Sequence, residues 1–385
     1  MPNPLRTLNE YGQSVWLDFV SRDLLKSGGL AKLIAEDGLR GVTSNPSIFE
    51  KAIGHGDDYD ALIAQAEASG DLDPGALFED LAVRDIQEGA DTLNSVYEQT
   101  QRRDGFISLE VSPYLAMNTH ETIEEARRLW REVNRRNLMV KVPGTKPGLT
   151  AIRTLIGEGI NVNVTLLFSQ QVYAEVAEAY ISGLEAFAKK GGDPHKVASV
   201  ASFFVSRIDT LVDDELDKKI AATSDPAEKA RLQVIKGKVA IANAKLAYEA
   251  FEGIFRGQRF AALRDAGAAV QRPLWASTSS KNPAYRDVVY AEELIGPDTV
   301  DTMPLATIEA FADHGVVRDD TVREDYAGAH AVIERLRAAG IEIDTVTQQL
   351  LDAGVKQFAD SYDELIRGIA EKVDALHGGL TAQRR

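Results

Sequence analysis

Short apolar stretches recur along the chain, and most alternate apolar with polar positions. Period-two alternation marks a strand with two different faces. Eight stretches fit: Ser14–Val20, Gly41–Asn45, Ile107–Val111, Leu138–Pro143, Ile160–Phe168, Val197–Arg207, Pro273–Ser279 and Val300–Pro304. Between them the apolar period changes to that of a helix, as in Thr122–Asn134, Gly148–Glu158 and Gln170–Lys190. Eight strands alternating with helices predict an α/β fold, the (β/α)8 TIM barrel. No G-x-G-x-x-G follows a strand, which argues against a doubly wound dinucleotide-binding sheet and a cofactor-dependent oxidoreductase.

Two connections are long. Residues 46–106 hold predicted helices at Tyr59–Ala68 and Pro74–Gln99, and residues 208–271 read as almost wholly helical. The tail from Thr321 to Leu376 predicts two or three further helices that could pack on the barrel. No linker, repeat array or low-complexity tract interrupts the pattern. Residues 1–385 are therefore read as a single barrel domain with additional helices in the loops and at the C-terminus.

Parity sorts the strand residues into two faces. Ile107, Leu109 and Val111 share one face, Ser108 and Glu110 the other. Val15, Leu17 and Phe19 oppose Ser14, Trp16 and Asp18; Leu138, Val140 and Val142 oppose Met139 and Lys141. Val162, Val164 and Leu166 oppose Asn161, Asn163 and Thr165. The apolar faces suit packing on helices, so the polar faces point inward. A barrel interior is normally filled by apolar layers. A lysine, two carboxylates, amides and hydroxyls there suggest a site at the C-terminal mouth. Each residue alone has a plainer explanation: Lys141 could simply pair with Glu110 or Asp18, and Asn163 and Thr165 could be ordinary hydrogen-bonders.

The chemistry follows from the residue types. A lysine among interior side chains loses hydration, which disfavours the ammonium. A neutral amine attacks a carbonyl to form a Schiff base, and the protonated imine is an electron sink for C–C cleavage. Two separated carboxylates can divide the acid–base work. Ser202 and Arg207, read at the end of the sixth strand, and Ser279 and Lys281, after the seventh, offer a phosphate cradle. PGTKPG after Lys141 lacks P-loop spacing and reads as a strand-to-helix turn, although Lys146 within it could still reach phosphate.

Composition narrows the partners. Lys and Arg number 43 against 59 Asp and Glu, a net charge of −16. Such a chain repels nucleic acid and anionic lipid, so neither is expected as a partner. An anion site must then gather its positive charge locally. Cysteine is absent, which excludes disulfides, thiol nucleophiles and cysteine-ligated metals. His55, His120, His195, His314, His330 and His377 form no metal-binding pair, so no metal and no cofactor are expected. The opening residues lack a secretory pattern and no apolar run suits a membrane span, so a cytoplasmic location is expected.

The stretches VTSNPSIFEKAI, SLEVSP, MVKVPGT, GINVNVTLLFS and SFFVSRID, with the later PLWASTSSKNPAY segment, resemble the transaldolase family, in its longer bacterial form. The resemblance implies that Lys141 forms the Schiff base and that Asp18 takes the proton from the substrate's C4 hydroxyl. Glu110 and Thr165 would hold a proton-relaying water. Asn45 and Asn163 would hold hydroxyls of a three-carbon fragment, with Thr43 supporting. Ser202 and Arg207 would bind phosphate, and Ser279 and Lys281 are taken in place of an unmatched second arginine. The implied reaction transfers a dihydroxyacetone unit from sedoheptulose 7-phosphate to glyceraldehyde 3-phosphate, in the pentose phosphate pathway. A monomer or homodimer acting on small sugar phosphates is expected. A fructose 6-phosphate aldolase and a non-catalytic sugar-phosphate-binding barrel remain as alternatives.

Overall fold

A computed structural model describes residues 3–55, 57–69 and 73–383. Eight parallel strands close into a barrel: β1 (Gln13–Leu17), β2 (Gly41–Val42), β3 (Phe106–Glu110), β4 (Leu138–Pro143), β5 (Val162–Leu167), β6 (Ser199–Phe204), β7 (Arg272–Ala276) and β8 (Thr299–Met303). β1 pairs with β8, so no edge remains. The fold class matches the alternation in the sequence.

Helices surround the barrel and start where the sequence supplies caps. Thr145 and Ser169 cap the helices Lys146–Ile156 and Gln170–Lys189 immediately after β4 and β5. Asp73 caps Pro74–Gln99, whose first residue is a proline. The alternating apolar faces do turn outward. Ile107, Val140, Val142, Val162 and Val164 are buried against the helices.

The interior has two zones. At the N-terminal end it is a polar plug around Asp104. This carboxylate accepts from Ser14 Oγ at 2.8 Å, from Trp16 Nε1 at 3.3 Å and from Arg272 at 2.9 Å. Ser14, counted among the inward polar groups, therefore serves this plug and lies away from the mouth. Gly41 is required above it: an added Cβ would meet the Trp16 ring at 2.5 Å.

Several boundaries differ from those expected. β1 ends at Leu17 and β2 at Val42, so Asp18 and Thr43–Asn45 lie just past the strand ends. β6 ends at Phe204, and Arg207 lies in the helix Ser206–Ala222 rather than at the strand end. Hydrophobic alternation continues past the strand ends, so it overstates strand length. β5 shifts register between Val164 and Leu167, and Leu166 has φ +60°. This bulge takes Leu166 off the expected face. The helix Pro46–His55 also escaped the sequence reading. The tail forms a turn at Thr321–Arg323, the helix Tyr326–Ala338 and the long helix Ile343–Gln383. The last of these packs along Pro46–His55, across the barrel mouth.

Candidate active site

Lys141 sits in β4 with Glu110 of β3 and Asn163 of β5 as its registered neighbours. Parallel pairing puts all three on the interior face. Lys141 Nζ donates to the Ser44 carbonyl at 3.0 Å and lies 3.2 Å from Glu110 Oε2. The Lys141 and Glu110 side chains are 5% and 4% exposed, so the ion pair is screened from bulk water. Asn163 donates to Ser108 Oγ at 3.0 Å and accepts from Ser202 Oγ at 2.7 Å. Ser202 thus belongs to the floor beside Lys141. Across the barrel, Thr43 Oγ1 donates to Asp18 Oδ1 at 2.6 Å and is 2.7 Å from Thr302 Oγ1.

Burial pushes the carboxyls of Glu110 and Asp18 above the ordinary range. Lys141 pulls both back, and the Thr43 hydrogen bond, Arg207 and Lys281 also pull Asp18 down. Beyond the ion pair, neither oxygen of Glu110 has a hydrogen-bond partner among the described residues, nor does Thr165 Oγ1. Such buried orphans are rare and signal an intended polar partner. A small cavity of about 40 Å³ abuts Glu110, which is room for a water.

The main cavity holds about 790 Å³ and opens at the C-terminal mouth. Asp18, Thr43, Asn45, Lys141 and Ser202 line it, together with Arg207, Ser279 and Lys281. Glu110 and Asn163 flank Lys141 on the neighbouring strands, and Thr165 lies two residues beyond Asn163 on β5. The candidate catalytic and binding residues are therefore gathered at one end of the barrel, apart from Ser14, which belongs to the plug, and Lys146. It begins the helix after β4 and lines a different cavity, with Asp344 and Gln348.

Positive charge is gathered as the acidic chain requires. Arg207 lies 5.1 Å over the Phe204 ring, and Lys281 Nζ donates to Ser279 Oγ at 2.7 Å. Burial pushes both cations' pKa values down, and for Lys281 the neighbouring Arg207 and Lys51 add to it. Neither has an ion pair among the described residues.

Sequence reading missed Lys51, Ser47, Ser277 and Phe358. Lys51 lines the cavity from the helix Pro46–His55, four residues after Ser47, which also lines it. Asn45 accepts from Ile48 N at 3.1 Å and so caps that helix. Reading Asn45-Pro46 as a cap followed by a first-turn proline would have found it. Ser277 also lines the cavity, with φ +56° and its Oγ 2.9 Å from Ser206 Oγ. Phe358 enters from the long C-terminal helix, with its ring centroid 5.6 Å from Lys141 Nζ.

His120, His195, His314 and His330 are exposed; the side chains of His55 and His377 lie outside the described residues. No group of three or more potential ligands is arranged for a metal among the described residues. No helix among them is long and apolar enough to cross a membrane.

Residues 15–369 match the family described as transaldolase/fructose-6-phosphate aldolase. The chain belongs to that family. The transaldolase of Trichodesmium erythraeum is 48% identical over 97% of this chain and 98% of its own. Transaldolase 2 of a Nostoc species is 47% identical over 97% and 98%. The transaldolase of Thermobifida fusca is 46% identical over 97% and 100%. The matched span begins within β1 and extends past Phe358 to residue 369. It includes every charged residue of the cavity described above.

Proposed function

We propose that the chain is a transaldolase. It moves a dihydroxyacetone unit from sedoheptulose 7-phosphate to glyceraldehyde 3-phosphate, giving erythrose 4-phosphate and fructose 6-phosphate in the pentose phosphate pathway. One observation carries the reading. A buried lysine opens onto a cavity that also holds Arg207, Lys281 and Lys51. The near-full-length likeness to named transaldolases supports transfer over simple aldol cleavage.

The geometry suits each step. Lys141 must lose a proton before its Nζ attacks the ketose carbonyl. Glu110 stands 3.2 Å away, and burial favours its neutral acid, so it can accept that proton. The carbinolamine then loses water to give the protonated imine. A water between Glu110 and Thr165 would relay the protons, which matches their unmet hydrogen bonds. Asp18 removes the proton of the C4 hydroxyl, and the C3–C4 bonding electrons flow into the imine. The aldose phosphate leaves, and the enamine on Lys141 attacks the next aldehyde as Asp18 returns the proton. Asn45 and Asn163 hold the fragment's hydroxyls, with Thr43 orienting Asp18 and Ser202 orienting Asn163. Arg207, Lys281, Ser279 and Lys51 hold phosphate.

This chemistry needs no metal or cofactor. We read residues 1–385 as one domain acting on small sugar phosphates as a monomer or homodimer, without nucleic acid or membrane. A cytoplasmic location suits a chain without cysteine.

The test is borohydride trapping. The protein is incubated with fructose 6-phosphate, reduced, and its peptides are weighed. A reduced three-carbon adduct on Lys141 is expected. Its absence while the sugar phosphate still binds would make the barrel a non-catalytic binder.

A further inference from the structure

The bound three-carbon fragment faces a hazard that the residues above do not address. Once the aldose phosphate has left, Lys141 carries an enamine. Protonation of its C3 gives an iminium, and water can add to C2 of that iminium. Collapse of the carbinolamine then frees dihydroxyacetone and restores the amine. Water is the most abundant nucleophile present, so transfer depends on keeping it from C2 until an aldehyde arrives.

From this, and resting on the reading of Lys141 as the Schiff-base residue, we propose that Phe358 closes the cavity over the Lys141 adduct. It thereby sets the partition between transfer to an aldehyde and loss to water. Phe358 is 4% exposed and lines the cavity with Gln357 and Leu350 of the same helix. Its ring lies within cation–π range of Nζ, where it excludes water and favours a positive charge, whether ammonium or iminium.

The helix is seated by contacts on both sides of this ring. One turn before Phe358, Gly354 meets Leu166 of β5; a Cβ there would come within 2.9 Å of Leu166 Cδ2. Leu166 is the residue that the bulge turns up to the mouth, at φ +60°. The β5 bulge and Gly354 are thus two halves of one close approach. On the other side of Phe358, Ser361 Oγ is 2.7 Å from Ser47 Oγ. Tyr362 packs edge-on against Phe78 and Tyr114 at 5.7 and 6.1 Å. Phe358 is therefore held between β5, which carries Asn163 and Thr165, and the helix that carries Lys51.

The experiment compares two rates in the same preparation. One is dihydroxyacetone release from fructose 6-phosphate alone; the other is transfer from fructose 6-phosphate to erythrose 4-phosphate. Phe358→Ala is expected to raise the ratio of release to transfer by roughly tenfold or more, the scale of a lost apolar contact at a reacting centre. Phe358→Leu keeps apolar bulk and is expected to raise it less. Gly354→Val, which lifts the helix off Leu166, is expected to move it in the same direction as Phe358→Ala. An unchanged ratio in every variant that folds, with the Lys141 adduct still trapped by borohydride, would overturn the role of Phe358 and leave the transaldolase reading standing. Failure to trap any adduct in the unaltered protein would overturn both.

Discussion

Thr43 and Asp18, 25 residues apart in sequence and each just past the end of its strand, are joined by a 2.6 Å hydrogen bond at the mouth of the barrel. The hydroxyl donates, so it stabilises the ionised carboxylate against the burial that pushes Asp18 upward. If Asp18 acts as base, kcat/KM falls as the pH drops through its raised pKa. Thr43→Val removes one of the groups that lower it. The acid limb of the pH profile should therefore move to higher pH. A limb at an unchanged pH would remove Asp18 from the titration. Asp18→Asn should lower kcat by roughly 10²–10⁴-fold.

Glu110→Gln keeps the shape beside Lys141 but removes the proton acceptor. Imine formation should slow by about 10²-fold or more, read as the rate of borohydride trapping. Binding of fructose 6-phosphate should change little. Trapping at the unaltered rate would reduce Glu110 to a counter-ion.

Arg207→Ala should raise the apparent KM for phosphorylated sugars, with kcat/KM falling about 10- to 100-fold, the worth of a charged hydrogen bond. Lys51→Ala and Lys281→Ala should act in the same direction. Substrates without phosphate should be affected much less. Equal losses on both kinds of substrate would dismiss the phosphate role.

The plug at the other end of the barrel is structural. Burial alone would raise the Asp104 carboxyl, but Arg272 and the hydrogen bonds around it win and hold it below its ordinary range. Its contribution is present at neutral pH and drains away as pH falls through that depressed value. Asp104→Ala strands Arg272, which is 6% exposed, and should cost about 3–5 kcal/mol in chemical denaturation. Turnover of the folded fraction should persist.

Asp301 behaves in the opposite sense. It is fully buried, accepts among the described residues only from Thr278 Oγ1 at 2.9 Å, and burial pushes its pKa up to about 7. The unfolded chain ionises at the ordinary carboxylate value, so the folded state loses stability as pH rises from there to about 7. Asp301→Asn escapes that loss. Its Tm should exceed that of the unaltered protein by several degrees at pH 8 and match it at pH 4. An equal difference at both values would show that the carboxyl does not titrate in this way.

What the sequence determined by itself is periodic or local. Eight alternating stretches specify eight strands, because an apolar face must be buried whatever the neighbours are. Parity alone put Lys141, Glu110, Asn163 and Thr165 on the interior side, and the register of β3, β4 and β5 sets the first three side by side. Caps such as Thr145 and Ser169 mark the helix starts for equally local reasons.

What only the tertiary structure decided is what meets across the closed barrel. Alternation cannot show where a strand stops, so Arg207 read as strand but lies in the first turn of a helix. It cannot foresee the bulge that turns Leu166 toward Gly354, because positive φ leaves no apolar signature. It cannot separate Ser14, bound to Asp104, from the polar groups of the mouth, since both lie on the same face of their strands. Lys51 and Phe358 lie 90 or more residues away in sequence from Lys141, on helices whose own patterns report only that they are amphipathic. Their arrival at the same cavity depends on closure of the sheet and on the packing of the last helix over its mouth. Both are contacts between distant residues, and no local period encodes them.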